Sequence, residues 1–186
     1  MSTAATFSLE QYERMAAAGA FDGLLQQRVE FIRGEIREMT PIGTFHDQAV
    51  NDLTDWSYEV MPRGRFSVRV QATLRIPAAN SAPQPDVFWV TRKKYTRKHP
   101  EPADVHLVIE VAESSIRDDR GEKRDLYAEA MIADYWIVNV PNRTVEVYRQ
   151  PDGHSYQWSE TVGMDGVVSP LVLPDAKLEV ASLFTG

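Results

Sequence analysis

Residues 107–112 read LVIEVA, an apolar run with a carboxylate in its middle. Near-continuous apolar runs of this kind, rich in Val and Ile, form central strands buried on both faces. Strand alternation puts Val108, Glu110 and Ala112 on one face and Leu107, Ile109 and Val111 on the other. A carboxylate left unpaired there is costly, so Glu110 must be protonated, paired or bound to a cation. Ala112 is small and leaves space beside it. A structural salt bridge is one solution and a metal site is another.

Asp86 repeats the anomaly at the head of a second strand, PDVFWV (85–90). A strand-capping Asp after a Pro turn is the ordinary explanation. Two carboxylates on neighbouring strands are also a hard-cation arrangement, because Mg²⁺ takes oxygen ligands and keeps several waters. One or two carboxylates plus a substrate phosphate then suffice. A third element comes later in the chain. Asp119-Arg120-Gly121-Glu122 has the D-x-x-E capping-box pattern and predicts a helix running to about Met131. Positions 123, 126/127 and 130/131 form one stripe of that helix. Lys123 then lies on the packing face, where its stem runs over the sheet and its ammonium reaches the strand ends. A snorkelling surface lysine is the alternative.

The remaining pattern is mixed. Residues 8–18 read as a helix capped by Ser8, with Gln11 in the capping-box position. Residues 28–39 alternate about Arg33-Gly34 as a β-hairpin, and Pro41 and Gly43 break the strand. From His46 to Val60 the apolar positions recur at helical spacing, with His46 on the same stripe. Residues 66–76 alternate as a strand, and a Pro/Ala/Asn/Ser loop fills 77–84. Residues 134–140 and 143–149 flank Pro141-Asn142 as another hairpin. Asp152-Gly153 and Asp165-Gly166 mark turns in the tail, and a short helix or strand ends the chain near Leu183-Phe184. The order indicates an α/β (α+β) fold with a mixed sheet, in one domain spanning 1–186.

Composition narrows the function classes. A chain of 186 residues, 43% hydrophobic and 25% charged, suits one soluble domain. It has no run long enough to span a membrane and no basic-then-apolar leader, and it contains no cysteine. A cytoplasmic address is expected, and thiolate chemistry is excluded. The net charge of −7 argues against a protein that coats nucleic acid non-specifically. It leaves room for local contact. Residues 91–99, TRKKYTRKH, gather Arg92, Lys93, Lys94, Arg97 and Lys98 around Tyr95, either as a solvated loop or as a phosphate-facing rim. No glycine-rich phosphate loop supports a nucleotide-binding α/β protein.

Pro85-Asp86, with Glu110-Val111-Ala112 further along, resembles the bipartite motif of the PD-(D/E)XK nuclease superfamily. Within it the chain is similar to the Uma-two family of restriction-endonuclease-like proteins. The resemblance covers RGEIREMTPIGTFH (33–46), PDVFWV (85–90), residues 107–140, RTVEVYR (143–149) and SPLVLPDAKLEVASLF (169–184). It implies a restriction-endonuclease-like mixed central sheet flanked by helices, with an N-terminal hairpin and C-terminal β-hairpins. It implies metal-binding Asp86 and Glu110, with Glu35 and His46 near the same cleft. Glu35 is then a further ligand or a residue that orients the nucleophile. The superfamily's simplest motif has a lysine two residues after the Glu. That position is Ala112 here, and the family's lysine on the next helix corresponds to Lys123. The implied activity is Mg²⁺- or Mn²⁺-dependent endonucleolytic hydrolysis of DNA phosphodiesters by Glu35, Asp86, Glu110 and Lys123; other phosphodiesters, RNA included, fit the same residues equally well. The alternative is a catalytically idle fold used for binding or assembly. Trp136, Tyr148, Tyr156 and Trp158 on the C-terminal hairpins are either core residues, the commoner case, or an exposed homodimer interface.

Overall fold

A computed structural model describes residues 5–22, 29–39, 43–62 and 64–185. Its centre is a six-stranded sheet in the order β3-β4-β5-β6-β7-β8, with β3 Phe66–Val70, β4 Val87–Thr91, β5 Val105–Ala112, β6 Asp134–Asn139, β7 Thr144–Pro151 and β8 Tyr156–Val162. Only β5 and β6 run parallel; the other neighbours are antiparallel. A parallel pair needs a crossover, usually helical. Here it is supplied by α3 (Ile116–Asp118), a π-turn (Asp119–Lys123) and α4 (Arg124–Glu129).

Alternation along β5 divides the core as its sequence requires. Leu107, Ile109 and Val111 enter the larger core with Trp89 and Trp136, beneath α2 (Thr44–Val60), which contributes Ala49, Val50, Leu53 and Trp56. Val108 and Ala112 enter the second core with Phe88, Leu126, Tyr127 and Tyr135. The hairpin β1 (Val29–Ile32) and β2 (Glu35–Glu38) adds Ile32 to this side. Helix α1 (Leu9–Ala17) packs Leu9 and Tyr12 on the hairpin, with Tyr12 stacked 4.7 Å from Phe31. Its Ser8–Gln11 capping box forms as the sequence predicts. A second two-stranded sheet pairs β9 (Val167–Val168) with β10 (Leu178–Glu179), and a 3₁₀ turn lies near the end of the described chain. Among the described residues no helix is long and apolar enough to cross a membrane.

Two local expectations are revised and one open alternative is settled. The alternation of residues 66–76 does not yield one strand. The β3 ladder stops at Val70, Gln71 turns with φ +46°, and the chain then pairs loosely with the 81–83 stretch. Pro83 and Pro85, on the segment leading into β4, have no N–H with which to extend the ladder. The Asp119 capping box does not form. The helical stretch already begins at Ile116, and Asp119 sits inside it with helical dihedrals. Gly121, at φ −100° and ψ −105°, breaks the helix between Asp119 and α4. The C-terminal aromatics are not an exposed surface. Trp136 is fully buried, Tyr148 and Tyr156 stack with Tyr135, and Trp158 packs on the larger core beneath Arg149. Pro41 lies outside the described residues.

Candidate active site

Strands β4 and β5 are antiparallel, with Val87 opposite Ile109, so Asp86 and Glu110 meet at the same end of the sheet. The Asp86 amide donates to Glu110 Oε2 at 3.4 Å. In return the Val111 amide, next to Glu110, donates to Asp86 Oδ2 at 2.9 Å. His46, in the first turn of α2, places Nε2 3.0 Å from the same Oδ2. Gln71, just past β3, donates to Asp86 Oδ1 at 3.2 Å. Burial alone would raise the Asp86 pKa. His46, the Val111 amide and the Lys123 charge outweigh it and hold the carboxyl below its usual range. An ionised carboxylate only accepts, so His46 Nε2 donates to it, while His46 Nδ1 is buried with no hydrogen-bond partner.

Glu110 behaves in the opposite way. It is fully enclosed, and desolvation pushes its pKa up to about 8 against the pull of Lys123, with Asp119, Asp86 and Glu30 adding to the rise. Tyr127 donates to Oε1 at 2.7 Å and Lys123 Nζ lies 3.2 Å from the same oxygen. The π-turn explains the reach of Lys123. It comes after the break at Gly121, is buried, and directs its ammonium at three acids: Glu110, Glu30 Oε2 at 3.4 Å and Asp119 Oδ1 at 3.7 Å. Burial disfavours its charge, but these carboxylates overcome that and raise its pKa. Asp119 accepts from Ser115 Oγ at 2.5 Å, and desolvation raises its pKa.

Asp86, Glu110, Lys123 and His46 are thus brought together around a cleft of about 160 Å³. Glu35 is not. It occupies the turn end of the hairpin, is exposed, and accepts from Arg37, which also holds Glu122 at the rim. The hairpin acids that line the cleft are Glu30 and Glu38; Glu30 lies two residues before Ile32 on the same side of β1, and its Oε2 is buried with no hydrogen-bond partner. Glu30, Tyr127 and Gln71 were not singled out by the sequence, and Asp119 only as a helix cap. Tyr127 stands four residues after Lys123 on its stripe, and that spacing was the one signal available.

The donor set suits a hard cation. Its acids offer only oxygen, the ligand type Mg²⁺ and Mn²⁺ prefer. Among the described residues no three acidic or imidazole groups converge into an all-protein cage. What Asp86 and Glu110 can offer is a pair of carboxylates, with solvent or phosphate oxygens completing the shell. The Lys123 ammonium is shared by Glu110, Glu30 and Asp119, all within ion-pair distance of it. Glu30 Oε2, ion-paired with Lys123 at 3.4 Å but without a hydrogen bond, is a further acceptor facing the same space.

Comparison with known proteins adds a lineage to this geometry. No curated protein matches the chain. A crystal structure from Anabaena variabilis ATCC 29413, described as "a putative nuclease belonging to DUF820", shares the fold. Its TM-score is 0.67 at 16% sequence identity, over 89% of this chain and 97% of that one. Residues 9–181 match the Uma2 family, described as "Putative restriction endonuclease", and the chain belongs to that family.

Proposed function

We propose that the chain is a divalent-cation-dependent endonuclease that hydrolyses DNA phosphodiester bonds in the cleft between β4, β5 and the π-turn. One observation carries the reading. Two carboxylates distant in sequence, Asp86 and Glu110, meet at one sheet end with the Lys123 ammonium beside them, in a surrounding excess of acid. Membership of a family described as restriction endonucleases supports it.

Asp86 and Glu110 would hold the cation, which on binding screens phosphate charge and makes a bound water more acidic. The chain's own residues do the rest. His46 and the Val111 amide fix the rotamer of Asp86, and Tyr127 fixes that of Glu110. Lys123, kept protonated by its acidic neighbours, presents an ammonium where negative charge develops on the phosphate oxygens. The nucleophile's proton can pass to a carboxylate at the rim of this cluster. Hydrolysis of both duplex strands would take two such clefts, so a homodimer is the assembly this reading favours.

The test is cleavage of duplex DNA in Mg²⁺ or Mn²⁺, read beside Mn²⁺ binding by calorimetry. Wild type should cleave and bind, and Asp86→Ala should lose both. Lys123→Ala should keep the metal while losing cleavage by about 10²–10³-fold or more. Mn²⁺ binding that survives Asp86→Ala, or undiminished cleavage by Lys123→Ala, would remove the proposal. Metal binding without turnover on any nucleic acid would instead favour an idle fold serving as a binding module.

A further inference from the structure

The acidic cleft and the basic loop occupy opposite ends of one strand. β4 begins next to Asp86 and ends at Thr91, where residues 92–99 leave the sheet. β3, antiparallel to it, begins beside this loop and ends at Val70, just before Gln71, which holds Asp86. Seven of the chain's 20 Lys and Arg residues lie on this face, although the whole chain carries −7. Arg65, Arg92, Lys94, Arg97 and Lys98 are exposed, and together with half-buried Arg69 they have no carboxylate within ion-pair distance among the described residues. Lys93 is the exception, held by Asp104 at 2.6 Å.

Aromatic rings order this face. Tyr95 donates to the Thr91 carbonyl and lies under Arg69, 5.0 Å from its guanidinium, and under Lys93 at 5.2 Å. Arg65 lies over Phe66 at 4.8 Å. Cations held over rings in this way lose less freedom on binding an anion than cations on free stems. A groove beside the edge strand β3 is lined by Tyr58, Phe66, Arg69, Arg92 and Lys94.

We propose that this face is a docking surface for the phosphate backbone of duplex DNA, separate from the cleft and feeding it. Distance supports the choice. Six residues of extended chain from Arg65 to Gln71 cover roughly 20 Å, and duplex DNA spans about six base pairs in that length. A backbone held at the loop therefore delivers a phosphodiester half a helical turn away to Asp86. An anionic membrane fits less well. Such surfaces add apolar side chains that insert among lipids, whereas the Tyr95 and Phe66 rings here lie beneath cations. The inference deepens the nuclease reading but is measured without catalysis.

The experiment is fluorescence anisotropy of a labelled duplex in EDTA across a salt series. It compares wild type with the combined variant Arg92→Ala, Lys94→Ala, Arg97→Ala and Lys98→Ala. The four side chains are exposed, so the melting temperature should hold. The variant should bind at least about 30-fold more weakly at 0.1 M salt, and its slope of log K against log salt should be shallower by about 3–4. Unchanged affinity and slope would overturn the proposal. So would retention on phosphatidylserine vesicles with no duplex binding. A failed docking test with cleavage intact removes this inference alone; lost cleavage by wild type with docking intact removes the nuclease reading alone.

Discussion

Buried carboxylates occur at two places in the sheet, and their partners differ. At the β6–β7 pair each acid is saturated. Asp134 accepts from Arg149 Nε at 2.9 Å, Trp136 Nε1 at 2.9 Å and the Leu171 amide at 2.8 Å. Glu146 accepts from Arg120 at 2.6 and 2.8 Å, from Asn139 and from Tyr148. Burial would raise both pKa values; the donors bring Glu146 below the usual range, whereas burial leaves Asp134 above it. In the cleft the charged partner is shared. Glu110, Asp119 and Glu30 look toward one ammonium, Glu110 and Asp119 have raised pKa values, and one Glu30 oxygen has no hydrogen bond. Saturated acids hold strands together. Acids in excess of their counter-charge store an affinity for one, and a cation is the counter-charge a hydrolase site can use.

The comparison can be broken most forcefully at Arg149. Arg149→Met strands a buried Asp134 and should cost about 3–5 kcal/mol in urea denaturation; a loss below about 1 kcal/mol would mean the Trp136 and Leu171 donors suffice. A pH profile of metal-free stability sharpens the other side. Glu110 is raised from 4.5 to about 8 in the folded chain, so between these values the folded state keeps a proton that the unfolded state has released. Stability is then full below the unfolded value and falls as pH rises from 5 to 8, with Asp119 contributing the same sign. Glu110→Gln should flatten that decline in EDTA, whereas an unchanged slope would place the proton elsewhere. Smallest is Glu30→Gln. Removing a surplus charge should stabilise the metal-free protein by up to about 1 kcal/mol and weaken Mn²⁺ binding. The same kind of change at Asp134, Asp134→Asn, should destabilise. Equal signs at the two sites would erase the distinction between them.

Much of the cleft was legible because its residues break local rules. A Glu in LVIEVA and an Asp heading PDVFWV are each anomalous in a buried strand, and strand alternation fixed which side of β5 Glu110 faces. Lys123 was readable from its helical stripe even though the helix it was assigned to starts earlier and is broken. Glu30 left no trace, because a polar residue between Val29 and Phe31 is what any hairpin shows. The resemblance placed Glu35 at the cleft. The hairpin's docking puts Glu35 at the rim with Arg37 and turns Glu30 inward.

The amino-acid order by itself determined most of the strands and helices, the two faces of β5 and the two acids that cannot stay unpartnered. These come from hydrophobic period and from the cost of burying charge, both properties of a short stretch of chain. Only the tertiary structure decided which acids share the ammonium and which have arginines of their own. It also set the basic loop a strand's length from the cleft and turned the C-terminal aromatics inward. Those outcomes depend on antiparallel register and on a break at Gly121, through which groups far apart in the chain come within a few ångströms of each other.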